Sequence, residues 1–100
     1  KQNSKAVYGN LLKNKTMSVK TSCNVQGETL DSARMEVEKY LDDAFMAGLK
    51  SVSIIHGKGN GILQKGIREY LKRNKHVASF KAGNYNEGGE GVTVVTLKME

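Results

Sequence analysis

The chain has no proline and no tryptophan, and one cysteine, Cys23, among its 100 residues. A single thiol excludes an internal disulfide and a thiolate-rich metal centre, and it fits a reducing, cytoplasmic setting. No apolar run approaches the ~18 residues that span a bilayer, which argues against a membrane partner. One hundred residues with 38% hydrophobic content can bury one small core, so a second domain would not fit. The chain opens on Lys1 rather than methionine and reads as a terminal domain cut from something longer.

Acid is absent from residues 1–22, which hold Lys1, Lys5, Lys13, Lys15 and Lys20. That segment contributes +5 of the net +6, leaving +1 for the remainder. Residues 1–21 therefore read as a basic linker or tail that adds unspecific affinity for polyanions, and 22–100 as the domain. Within the domain the charge is sorted. Residues 28–43 carry six acids, whereas 58–75 carry Lys58, Lys65, Arg68, Lys72, Arg73 and Lys75 against Glu69 alone. One end of the molecule is expected to attract anions.

Alternation of Met17, Val19, Thr21, Cys23 and Val25 predicts a half-buried strand ending at Gly27. Leu30, Ala33, Val37, Leu41, Ala44 and Phe45 recur at helical spacing, with Thr29 as N-cap and Gly48 as stop. "SVSII" is a short interior strand, and "ILQKGIREYLKRNK" a second helix with an apolar stripe of Ile62, Leu63, Ile67, Tyr70 and Leu71. Gly66 inside that helix costs about 1 kcal/mol relative to alanine. "VASFKA" and "GVTVVTLK" are two further strands around "GNYNEGGEG", a long glycine-rich loop expected to be mobile. The order β-α-β-α-β-β predicts an α/β two-layer sandwich with a mixed four-stranded sheet, parallel across the helices and antiparallel in the last pair.

The informative stretch is "IIHGKGNGIL" at 54–63. A strand running into a glycine loop that opens a helix gathers unpaired N–H groups and the positive end of the helix dipole at one spot. Gly57, Gly59 and Gly61 can take left-handed angles and let a phosphate oxygen approach without meeting a Cβ. Lys58 adds a charge, and His56 a group able to move a proton near pH 7. No Gly-Lys-Ser/Thr follows, which argues against a P-loop, and "VASFKA" offers no acid for the ribose of a dinucleotide. One glycine and one histidine would mean only a tight turn; three glycines, a lysine and a basic helix together point to phosphate contact.

"VSIIHGKGNGILQKGIREYLKRNKHVASFKAG" followed by "NEGGEGVTVVTLK" closely resembles the small MutS-related (Smr) domain, in the version that closes the second type of bacterial MutS-family protein. The resemblance spans roughly residues 22–98. It implies a fold similar to the C-terminal half of translation initiation factor three, nucleic-acid binding, and endonuclease or nicking activity. Its parent would act in recombination control, DNA repair or ribosome rescue, on DNA or RNA that is branched or single-stranded, or on the ribosome. The family's second motif, Leu-Asp-x-Arg-Gly, falls on "CNVQG" at 23–27, so Asn24 stands for aspartate and Gln26 for arginine. An amide neither accepts a proton nor readily binds a metal at neutral pH, and this leaves two readings. In one, His56 and Lys58 are catalytic, with Gly57, Gly59, Asn60, Gly61, Lys65, Arg68, Asn24 and Gln26 contacting nucleic acid. In the other, the domain is a catalytically inactive docking module. No metal ligand or small-molecule cofactor is assigned, although a divalent ion remains compatible with cleavage.

The remaining residues have plainer alternatives. Lys65, Arg68, Lys72 and Arg73 could track phosphates or complement the helix dipole. His76 reads as a solvated surface histidine. Tyr85 could stack on an unpaired base or anchor its loop. Asp42 and Asp43 diverge by about 100° on a helix and would not share a metal.

Overall fold

The computed structural model describes residues 19–99. Its elements are β1 (Ser22–Asn24), α1 (Leu30–Met46), β2 (Ser51–Ile55), α2 (Ile62–Arg73), β3 (Val77–Ala82) and β4 (Val92–Leu97). The four strands form one mixed sheet in the order β1-β2-β4-β3. β1 runs parallel to β2, while β4 is antiparallel to both β2 and β3. The last strand is thus inserted between two that α2 connects.

Side-chain alternation sorts the sheet into two faces. Cys23, Val52, Ile54, Val95 and Leu97 join Ala33, Val37, Leu41 and Ala44 of α1 and Ile67 and Leu71 of α2 in one buried cluster. Both helices therefore cover the same face. The other face carries the cross-strand row Ser22, Ser53, Val94 and Lys81. Truncating Ile67, which is fully buried at the centre of α2, would cost about 2–5 kcal/mol.

The Thr29 hydroxyl accepts from Ser32 N–H at 3.2 Å, capping α1 as expected. At the other end Gly48 (φ 79°) turns left-handed, so that Leu49 N–H returns to Ala44 O at 3.1 Å. Gly66 has a packing reason: a Cβ there would lie 2.5 Å from Leu30 Cδ1, so its absence lets the helices approach.

Several expectations need correction. Strand β1 begins only at Ser22 and Thr21 is exposed, although the Thr21 carbonyl still accepts from Ser53 N–H at 2.9 Å. Met17 and residues 1–18 of the basic tail lie outside the described residues, while Val19 packs against the core. Ile62 is 58% exposed rather than part of the buried stripe, since it sits at the rim where α2 meets the loop. The 83–91 segment is not an open loop: it folds into two 3-10 turns, Tyr85–Glu87 and Gly89–Gly91. His76 is no solvated surface histidine; its ring stacks on Phe45 with centroids 4.1 Å apart, and Nε2 lies 3.1 Å from Asp42 Oδ1. Asp43 instead pairs with Lys39 at 3.3 Å, so the two neighbouring acids do part company.

Candidate nucleic-acid interface

Strand parity decides where the histidine goes. Val52 and Ile54 point into the core, and His56, two residues on, continues that side beneath α2, where it is only 4% exposed. A carbonyl can only accept, so Nδ1–H donates to Gly57 O at 2.9 Å. Nε2 is then bare and accepts the Thr93 hydroxyl at 2.8 Å. Thr93 Oγ1 in turn accepts from Arg68 Nε at 2.9 Å. Burial above all, with the Arg68 charge as a lesser cause, holds the imidazole below its ordinary 6.5, so it is neutral at pH 7. His56 is thus a satisfied, buried imidazole that ties β2, β4 and α2 together.

Above it the glycines take φ values of 78°, 38° and 86° at 57, 59 and 61. A Cβ at Gly59 or Gly61 would meet nothing within 4 Å, so the space beside the backbone is open. At Gly57 it would come within 3.0 Å of Gln26 Nε2, which places the Gln26 amide over the loop. Gly61 opens α2 without a side-chain cap and with no acid in the first turn. Asn60 Oδ1 accepts from Ile62 N–H at 3.1 Å, while the Leu63 and Gln64 amides have no acceptor inside the helix. Lys58 is exposed. Gly27, Glu28 and residues 56–64 line a cleft of about 310 Å³ at this spot.

The second glycine-rich segment packs directly on the first. The amides of His56 and Gly57 both donate to Gly91 O, at 3.1 and 2.9 Å. Gln64 Nε2 donates to Glu90 O at 2.9 Å and to Glu90 Oε1 at 3.1 Å, and Arg68 Nη1 lies 4.0 Å from that carboxylate. Arg68 Nη2 is buried with no hydrogen-bond partner.

The structure therefore brings His56, Gly57, Lys58, Gly59, Asn60, Gly61, Gln26 and Arg68 to one end of the sheet. Asn24 is oriented differently: its Oδ1 accepts from Gln26 N–H at 2.9 Å, and it lines a separate cleft with Val19, Tyr40 and Asp43. Lys65 is exposed on α2 without lining the loop cleft. Tyr85 is fully solvent-exposed and does not anchor its turn. Burial pushes the Cys23 thiol up to about 11, which leaves it protonated and unreactive. Among the described residues no three His, Cys, Asp or Glu side chains gather as a metal site. Sequence reasoning missed Thr93, Gln64, Glu90 and Gly91. The period-2 pattern Thr93, Val95, Leu97 was the available signal for the first, since it places a hydroxyl on the core face.

The fold recurs in known proteins. The family model described as the Smr domain matches residues 23–98. The chain is 51% identical over 90 residues to Endonuclease MutS2 of Caldanaerobacter subterraneus subsp. tengcongensis, covering 90% of this chain and 11% of that protein. It is 56% identical over 84 residues to Endonuclease MutS2 of Caldicellulosiruptor bescii, covering 84% and 11%. The chain thus spans about a tenth of the length of these relatives. The crystal structure of the Smr domain of Thermus thermophilus MutS2 superposes with a TM-score of 0.77 at 42% identity, over 79% of this chain and 99% of that one. YdaL, a stand-alone small MutS-related protein from Escherichia coli, shares the fold with a TM-score of 0.74 at 22% identity, over 97% and 81%. With the matched region running from the first strand through the last, and the His-Gly-x-Gly-x-Gly turn inside it, the chain belongs to the Smr domain family.

Proposed function

We propose that this domain grips the phosphodiester backbone of a nucleic acid through the 57–61 loop and the head of α2, as the nucleic-acid-holding part of an endonuclease-family protein. One observation carries the reading. The helix head combines amides without an intrahelical acceptor, an exposed lysine, no acid in its first turn and glycines with open space where side chains would be. Few side chains there could read base edges, so the reading favours the shape of single-stranded or branched DNA or RNA over sequence.

Cleavage by the same site is the second reading, and the relatives' name, Endonuclease MutS2, favours it. In that route a neutral His56 takes the proton of an RNA 2′-OH as it attacks phosphorus, and Lys58 with the loop amides stabilises the charged phosphorane. The P–O5′ bond then breaks, the 5′-oxygen leaving with the proton returned by the imidazolium and a 2′,3′-cyclic phosphate remaining. Against direct proton transfer stands the packing of His56, whose Nε2 is occupied by Thr93. Asn24 and Gln26 offer no carboxylate in its place. Holding therefore stands ahead of cutting.

Labelled single-stranded DNA and RNA incubated with the domain, with and without magnesium, test both. Binding is expected, with Lys58→Ala weakening it several-fold and lowering the salt slope by about 1. Cleavage that disappears in His56→Gln would move the second reading to the front. Binding without cleavage under every condition supports the first, and no saturable binding sinks both.

A further inference from the structure

We infer that Glu90 is a built-in competitor for the phosphate site, an internal anion that occupies Arg68 until a phosphodiester displaces it. The inference rests on the binding reading above and names a residue that sets its affinity.

A guanidinium carries five N–H donors, and a buried one normally satisfies them. Arg68 spends Nε on Thr93 at 2.9 Å. Its Nη1 lies 4.0 Å from Glu90 Oε1, beyond hydrogen-bond range, and Nη2 has no partner. The Arg68 charge is therefore countered while its fork is left unsaturated. A non-bridging phosphate oxygen can approach Nη1 to hydrogen-bond distance, which Glu90 as held here does not, while Nη2 stays buried behind it.

What restrains Glu90 is Gln64, whose Nε2 donates to both its carboxylate and its carbonyl. Gln64 and Arg68 are four residues apart on α2, hence neighbours on one helix face, and Gln64 also lines the loop cleft. The tether thus connects the cleft to Arg68. The Glu90 side chain is 68% exposed, so breaking its long ion pair costs little. Incoming backbone that takes Arg68 would release Glu90 into water.

Fluorescence anisotropy of a labelled single-stranded DNA oligonucleotide tests this. Glu90→Gln preserves shape and the bond to Gln64 while removing the charge, and it is expected to tighten binding roughly threefold to tenfold at low salt. Glu38→Gln, an exposed acid of α1 outside the loop cleft, changes net charge equally and is expected to stay within about twofold, as a solvent-screened charge does. On an Arg68→Ala background, Glu90→Gln should gain no more than that control. Thermal unfolding of each variant establishes that it is folded. A Glu90→Gln gain no larger than that of Glu38→Gln, or one that survives loss of Arg68, overturns the inference while leaving the binding reading intact. A wild-type domain that shows no saturable signal removes the binding reading itself, and this inference with it.

Discussion

At the head of α1 the Thr29 hydroxyl accepts from Ser32 N–H, Ser32 Oγ donates to Glu28 at 3.2 Å, and Asp31 sits in the first turn. At the head of α2 the capping position is Gly61 in a left-handed conformation, with no side-chain bond of its own and no acid in the first turn. Both helices begin with the same physical problem of orphan amides and a positive dipole end. The first answers it with its own side chains. The second leaves Leu63 and Gln64 N–H for something outside, although Asn60 covers Ile62, and it stands beside the exposed Lys58. The open head is the feature on which the proposed phosphate-binding reading rests.

The largest expected break in this contrast comes from giving α2 an acid. Ile62→Glu places a carboxylate in the first turn at a 58% exposed position. It should weaken oligonucleotide binding about tenfold, equivalent to ~1.4 kcal/mol, while raising folding stability by about 0.3–1 kcal/mol through the dipole. Binding and urea unfolding measured together check this, and loss of both would point to misfolding instead. Removing the cap of α1 should do the reverse. Thr29→Ala is expected to cost about 1 kcal/mol in urea unfolding and leave binding unchanged.

The smallest effect is in pH. His56 is held below its ordinary 6.5 by burial, so the folded state disfavours the protonated form. Its contribution to stability is fully present above pH ~6.5 and is lost as pH falls through the lower folded value. His56→Gln should flatten that part of the acid decline in urea midpoints. An unchanged decline would mean that the imidazole is not the titrating group.

Much of this could be read from residue pattern. Helical spacing located Ala33, Val37, Leu41 and Ala44, all of which are buried. Thr29 and Gly48 are local devices whose effect is confined to a few backbone bonds, so their roles needed no tertiary information. The glycines at 57, 59 and 61 were recognisable as a loop for the same reason. His56 was harder. "SVSII" reads as a short interior strand, but only its alternating burial, continued one step, carries the imidazole under α2. His76 looked solvated because nothing in its neighbourhood along the chain reveals that Phe45, 31 positions earlier, lies flat against it. Glu90 and Thr93 were invisible as site residues for a comparable reason, since Gln64 and Arg68 meet them only across 26 and 25 positions.

By itself the sequence determined the succession of strands and helices, the closed start of one helix and the glycine-built start of the other, because periodicity, caps and left-handed turns are properties of neighbours along the chain. Only the tertiary structure decided that the last strand slots between its two predecessors, that an inward threonine holds the histidine, and that a glutamate faces the arginine. Strand insertion and side-chain partnership depend on which distant segments bury apolar area together, a choice made by the whole core rather than by any local stretch.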